Sequence, residues 1–91
     1  MYVSVLRLEL RIRDGPRAKR RTVRTIVNKI HRHFNVSIAE VDRIGHPSES
    51  VIGVATVALG RREAREILDR VADALISHPR VEILGLEISE L

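Results

Sequence analysis

Between Tyr2 and Arg13 the chain alternates. Leu6, Leu8, Leu10 and Ile12 fall on one face, and Val3, Val5, Arg7, Glu9, Arg11 and Arg13 fall on the other. A period of two over this length specifies a long β-strand with one buried face and fits no helix. Such a strand needs sheet neighbours and a layer to cover its apolar side, so the rest of the chain must supply both. The pattern switches at Asp14-Gly15-Pro16, a turn in which Asp14 or Gly15 can act as N-cap and Pro16 suits the first helical position.

Residues 16–34, PRAKRRTVRTIVNKIHRHF, carry seven Lys or Arg and no acid. Val23, Ile26, Val27, Ile30 and Phe34 recur at helical spacing and form the stripe to be buried. At about 100° per residue, Arg17, Arg20, Arg21, Arg24, His31 and Arg32 gather on the opposite side with Asn28 among them. Charged outer faces are usually just solvated, but they commonly mix signs, because Glu–Lys pairs four apart stabilise a helix and like charges oppose it. Arg17/Arg20, Arg17/Arg21 and Arg20/Arg24 are like-charge neighbours with no acid to relieve them, which points to an anionic partner. A polyanion matches the length of the stripe better than a small anion does.

The remaining chain repeats the strand–helix–strand theme. Residues 36–44, VSIAEVDRI, are rich in β-branched side chains and read as a second strand, followed by a loop at 45–50 centred on His46 and Pro47. Residues 51–59, VIGVATVAL, are apolar on both faces, the pattern of a central strand. After Gly60 a second helix runs to about Ser77, with Ala64, Ile67, Leu68, Val71 and Leu75 as its apolar stripe. Its outer face pairs opposite charges at Arg62/Glu66, Arg65/Asp69 and Glu66/Arg70. His78-Pro79 ends it, and 80–89, RVEILGLEIS, is the last strand. The order βαββαβ with right-handed crossovers gives a four-stranded antiparallel sheet, strands one and three central, with both helices on one face. The expected fold is thus one α+β, ferredoxin-like domain over residues 1–91. Val3, Val5 and one side of 51–59 would leave an apolar patch on the other sheet face, and homodimerisation would cover it.

Charge is segregated along the chain. Residues 1–33 hold a formal charge of +8 and residues 34–91 hold −4, so one strongly positive surface is expected. Tyr2 and Phe34 are the only aromatics and there is no Trp or Cys. That leaves no base-stacking platform on strands one and three, no disulfide, no thiol nucleophile and no cysteine-based metal site. The charged N-terminal strand is neither a signal peptide nor a membrane span, and a cytoplasmic location is the expectation.

At Phe34–Asp42, FNVSIAEVD, the helix exit and second strand are similar to the signature of the YlxP family of small bacterial proteins. Arg17-Ala18-Lys19-Arg20-Arg21 matches a Lys-x-Lys-Arg run opening that family's first helix. Gly53-Val54-Ala55 and Leu68-Asp69-Arg70-Val71 also fit, so the resemblance spans essentially the whole chain. It implies a ferredoxin-like fold and no established activity, cofactor or catalytic residue. Members are often encoded near translation and ribosome-maturation genes, which implies an RNA-associated role by association alone. The chain departs from the family in having Pro47 where many relatives have Trp, and Pro16 where Leu is usual. A function that needs an aromatic in the 45–50 loop therefore lacks its residue here.

No catalytic chemistry is legible. His31 and His33 are two apart on a helix and point away from each other, His46 is in a loop, and His78 precedes a proline, so no metal is expected. Glu40 and Asp42 share a strand face but, opposite a basic helix, read as counter-ions. There is no nucleophile elbow, phosphate-binding loop or dinucleotide fingerprint. The expectation is a non-enzymatic domain without cofactor or small-molecule substrate that binds structured RNA, with ribosomal RNA as the target class. Arg17, Lys19, Arg20, Arg21, Arg24 and Arg32 would contact phosphates, although the helical wheel turns Lys19 toward the buried side. The alternative is a homo-oligomeric protein-interaction module that uses the open apolar sheet face.

Overall fold

The computed structural model describes residues 1–91. The elements are β1 (Tyr2–Ile12), α1 (Gly15–His33), β2 (Ser37–Asp42), β3 (Glu49–Ala58), α2 (Arg61–Ile76) and β4 (Val81–Glu90). The strands form one antiparallel sheet in the order β2-β3-β1-β4, the ferredoxin-like α+β arrangement. Alternation in β1 becomes architecture directly. Leu6, Leu8, Leu10 and Ile12 are fully buried and share a core with Val23, Ile26 and Ile30 of α1 and with Leu68, Val71, Ala72 and Leu75 of α2. Opposite Leu6 and Leu8 lie Val54 and Ile52 of β3, which extend the same apolar face. No helix is long and apolar enough to cross a membrane.

Two irregularities in the ladders decide what faces where. Against β1, Glu9 pairs with Gly85 but Leu10 pairs with Ile83, so Leu84 is an extra residue. This bulge switches the parity of β4 and lets Val81, Ile83, Leu86 and Ile88 all stand on the core side. Against β3, Glu40 pairs with Ile52 and Asp42 with Val51, which leaves Val41 as the extra residue in β2. Val41 lies close over Gly53, where an added Cβ would come within 3.0 Å of its Cγ1. A side chain at that position would require the Val41 side chain to give way by a few tenths of an ångström.

The sheet face away from the helices is less apolar than the sequence suggests. At one end Val3, Val5, Ala55 and Val57 do form an apolar field, with Val41 and Val57 each 56% exposed. The other end is a lattice of charges. Arg7 pairs with Glu9 at 2.6 Å, Arg43 with Glu9 and Glu49 at 3.4 and 3.2 Å, and Arg11 with Glu49 and Glu82 at 3.7 and 3.5 Å. Arg13 closes the row on Glu82 at 3.2 Å. Val51 lies on this face opposite Glu9, outside the main core, yet it is fully buried. Charged side chains at this end therefore take over part of the covering role that a second layer would otherwise fill.

Candidate nucleic-acid interface

Helix α1 begins with a turn that does nothing to neutralise it. Asp14 occupies the N-cap in a left-handed conformation (φ 77°, ψ 25°) and makes no side-chain capping bond, and the first turn contains no acid. The Asp14 carboxylate instead accepts a hydrogen bond from Arg80 at 3.3 Å. The positive end of the helix dipole therefore faces outward beside Arg17, Arg20 and Arg21, which the dipole disfavours. At the other end His31, Arg32 and His33 occupy the last turn, where cationic groups complement the dipole.

The outer face of α1 is cationic and largely without internal partners. Among all the Lys and Arg of the chain, seven make no ion pair: Arg17, Arg20, Arg21, Arg24, Lys29, Arg32 and Arg70. All but Arg70 are on α1, and all six are exposed. Arg17, Arg20, Arg21 and Arg24 together line a shallow depression that contains no apolar side chain. Four guanidiniums held this close repel one another, and an anion placed among them relieves that repulsion. Helix α2 contrasts with this. Its Arg61, Arg62 and Arg65 pair with Glu90, Glu66 and Asp69 at 3.0, 4.0 and 3.2 Å.

Lys19 does not belong to that surface, which corrects its assignment as a phosphate contact. It is 1% exposed, and its ammonium donates to the carbonyls of Arg43 and Ile44 at 2.9 and 2.8 Å. The Glu40 carboxylate lies 2.8 Å away and completes the three partners an ammonium can bond. These contacts tie α1 to β2 and to the turn after it, where Arg43 itself adopts a left-handed conformation (φ 55°). A buried cation is tolerable only when it is paired and hydrogen-bonded, and here an ion pair and two hydrogen bonds serve it. No phosphate can reach this amine without dismantling the junction.

Glu40 is the residue whose role the sequence left least defined. It stands on the core-facing side of β2, where Ser50 donates to its Oε2 at 2.7 Å and Lys19 binds the same oxygen. The counter-ion reading is correct for Glu40. Asp42, on the far side of the bulge, accepts from the backbone N–H of Arg43 at 2.7 Å and serves the turn instead. Above Glu40, between α1 and the edge strand, runs a groove of ≈ 320 Å³ lined by Arg20, Val23, Arg24, Val27, Asn28, Glu40 and Ile44. Arg20 and Arg24 thus border both recesses. Sequence gave a hint of this groove in the parity of Glu40, an acid at a core-facing position beside a helix without acids.

Other titratable groups are committed locally. Arg7, hydrogen-bonded to Glu9, holds that carboxyl below the usual carboxylate range, and the charge of Arg43 adds to the effect. Burial pushes the His78 imidazole below its ordinary value, helped by the nearby charges of Lys29 and Arg80. His46 Nδ1 accepts from the backbone N–H groups of Ser48 and Glu49 at 3.1 and 2.8 Å and so organises the β2–β3 loop around Pro47. No group of three or more His, Asp or Glu side chains is placed to hold a metal ion.

The chain belongs to the DUF503 family, described as a protein of unknown function, whose sequence model matches residues 3–88. No curated protein matches it.

Proposed function

We propose that the protein binds structured RNA through the outer face of α1, using Arg17, Arg20, Arg21, Arg24 and Arg32 on phosphates. One observation carries this reading: six of the seven Lys and Arg without an internal partner lie exposed on a single helix. Phosphate contacts of this kind set position and affinity and read no sequence. The absence of aromatics on β1 and β3, apart from Tyr2 at the strand end, argues against base stacking on the sheet. The resemblance of FNVSIAEVD to the YlxP signature favours RNA of the translation apparatus, by association. The role is one of binding, without catalysis. Crosslinking followed by sequencing in the native cell tests it. Crosslinks from α1 peptides to structured RNA support the reading, and their absence there counts against it.

A second reading is favoured by the apolar field on the open sheet face, where Val41 and Val57 are each 56% exposed. A homodimer through this field would cover it, and a specific interface should bury more than about 1,000 Å². Sedimentation at high micromolar concentration distinguishes the cases, since a clean monomer there removes the dimer.

A further inference from the structure

The groove between α1 and β2 combines features that a phosphate-binding surface alone does not need. Arg20 and Arg24 line it with their cations, Val23 and Val27 line it with apolar surface, and Ile44, which is 65% exposed, adds more. Two polar groups open into it, Asn28 and Glu40. The ion pair of Glu40 with Lys19 and its hydrogen bond from Ser50 both end on Oε2, and Oε1 has no partner within the protein. The groove therefore presents one fixed, anionic acceptor over an apolar floor, inside a cationic rim. At ≈ 320 Å³ it lies near the lower end of the ~300–1,000 Å³ range of small-ligand clefts and has room for a single nucleobase-sized ring.

Those requirements exclude most occupants. A cationic side chain would suit Glu40 but is repelled by Arg20 and Arg24. A bare phosphate suits the arginines but is repelled by Glu40. An apolar side chain leaves Oε1 without a donor as it is desolvated, at a cost. A nucleotide whose base carries an exocyclic amine satisfies every part: phosphate to the rim, ring faces on Val23, Val27 and Ile44, amine to Oε1. Uracil fails, because its one N–H is flanked by two carbonyl oxygens that would face the same carboxylate. Asn28 can donate to a ring nitrogen beside the amine.

We infer that this groove takes one unstacked, amino-bearing nucleobase, such as cytosine, from an RNA whose backbone runs along α1. The inference rests on the phosphate-binding reading above and adds a base-selective element to it. Glu40, anchored through Oε2, accepts from the amine, and the arginines hold the flanking phosphates. Recognition of a splayed-out base by hydrogen bonds at its edge is the usual means of reading single-stranded RNA, and here an aliphatic floor replaces the aromatic one.

The test varies the RNA first, so that no folding defect can obscure it. Oligocytidine and oligouridine of equal length carry equal charge and differ at the base edge. Oligocytidine should bind about tenfold tighter, the effect of one hydrogen bond to a charged acceptor, with the same dependence on salt for both. Asn28→Ala and Ile44→Ala alter exposed side chains, should leave the melting temperature nearly unchanged, and should shrink the preference without altering the salt dependence. Free CMP is the further arm and should bind far more weakly than the oligomer, because it presents a single phosphate. Equal affinity for the two oligomers with a retained salt dependence would overturn the base pocket and leave the phosphate reading intact. CMP binding as tightly as the oligomer would make the groove a mononucleotide site and overturn the RNA assignment. No binding of either oligomer, or of any structured RNA, would remove both readings together.

Discussion

Helices α1 and α2 cover the same sheet face with the same kind of apolar stripe, yet their outer faces follow opposite rules. On α2, Arg62 and Arg65 each find an acid four residues on, Arg61 reaches Glu90, and Arg61 also lies over the Tyr2 ring at 5.5 Å. Those side chains are satisfied by the protein itself. On α1 the one basic group with an internal partner is Lys19, and it points inward. The inward faces are set by core packing and had to be alike. The outward faces were not so constrained, and only α2 adopted the arrangement that favours an isolated helix. The cost of the α1 arrangement is modest, a few tenths of a kcal/mol per like-charge pair. It becomes intelligible if something outside the chain supplies the missing anions.

The largest expected effect separates Lys19 from its neighbours on the same helix. Lys19→Met would leave Glu40 without its cation and the carbonyls of Arg43 and Ile44 without a donor. Denaturant unfolding should show a loss of about 3–5 kcal/mol. Arg20→Ala, one position along and exposed, should change stability by no more than about 0.5 kcal/mol. Equal effects would mean that the buried junction is not what holds α1 to β2.

Truncations on the inward faces should make the two helices look the same. Ile26 is 3% exposed and Leu68 is fully buried, and replacing either by Ala should cost about 2–5 kcal/mol. A cost at one site well below that range, by the same unfolding measurement, would mean that its helix is loosely docked. Outward charge reversals should then separate the helices by sign. Arg65→Glu loses the pair with Asp69 and creates a repulsion, lowering stability by a few tenths of a kcal/mol. Arg21→Glu relieves repulsion with Arg17 and Arg24 and should raise it by a similar amount. Paired thermal melts read the difference directly.

The smallest effect concerns pH. His78 packs near Lys29 of α1 and its folded value is depressed, chiefly by burial. The unfolded chain then takes up a proton more readily than the folded one. The His78 contribution should be fully present above the ordinary value of 6.5, decline as pH falls below it, and level off below the folded value. An NMR titration should place His78 below 6.5, and a value at or above that figure would contradict the packing described here. Glu9 behaves in the opposite range. Its stabilising pairing holds at neutral pH and is lost only as pH falls below 4.5 through the depressed folded value.

Much of this was readable in the residues because the periodicities are clean. The alternation Leu6-Leu8-Leu10-Ile12 set the core face of β1, and the spacing Val23-Ile26-Ile30 set that of α1. What escaped prediction depends on partners distant in sequence. The wheel turned Lys19 inward, but the carbonyls that receive it belong to a turn 24 and 25 residues away. The bulge at Leu84 leaves a trace in the sequence of β4. Val81 and Ile83 have one parity, Leu86 and Ile88 the other, and only an inserted residue brings all four to one face. Strand by strand, the residues suggest an apolar open face, because its charged lattice exists only in the assembled sheet. The lattice joining Arg7, Glu9, Arg43, Glu49, Arg11 and Glu82 needs three different strands and the turn after β2 side by side.

The central claim is that the cations of α1, and not basic charge in general, bind RNA phosphates. Titration of a structured RNA fragment across a range of salt concentrations tests it most directly. If about five arginines each neutralise one phosphate, log K should fall against log salt with a slope of about −3.5 to −4.5. The double reversal Arg21→Glu with Arg24→Glu should remove most of that slope while the melting temperature barely moves, and reversal of Arg65 on α2 should leave the slope unchanged. Equal losses from the two helices, or no measurable binding near about 0.1 M salt, would contradict the account.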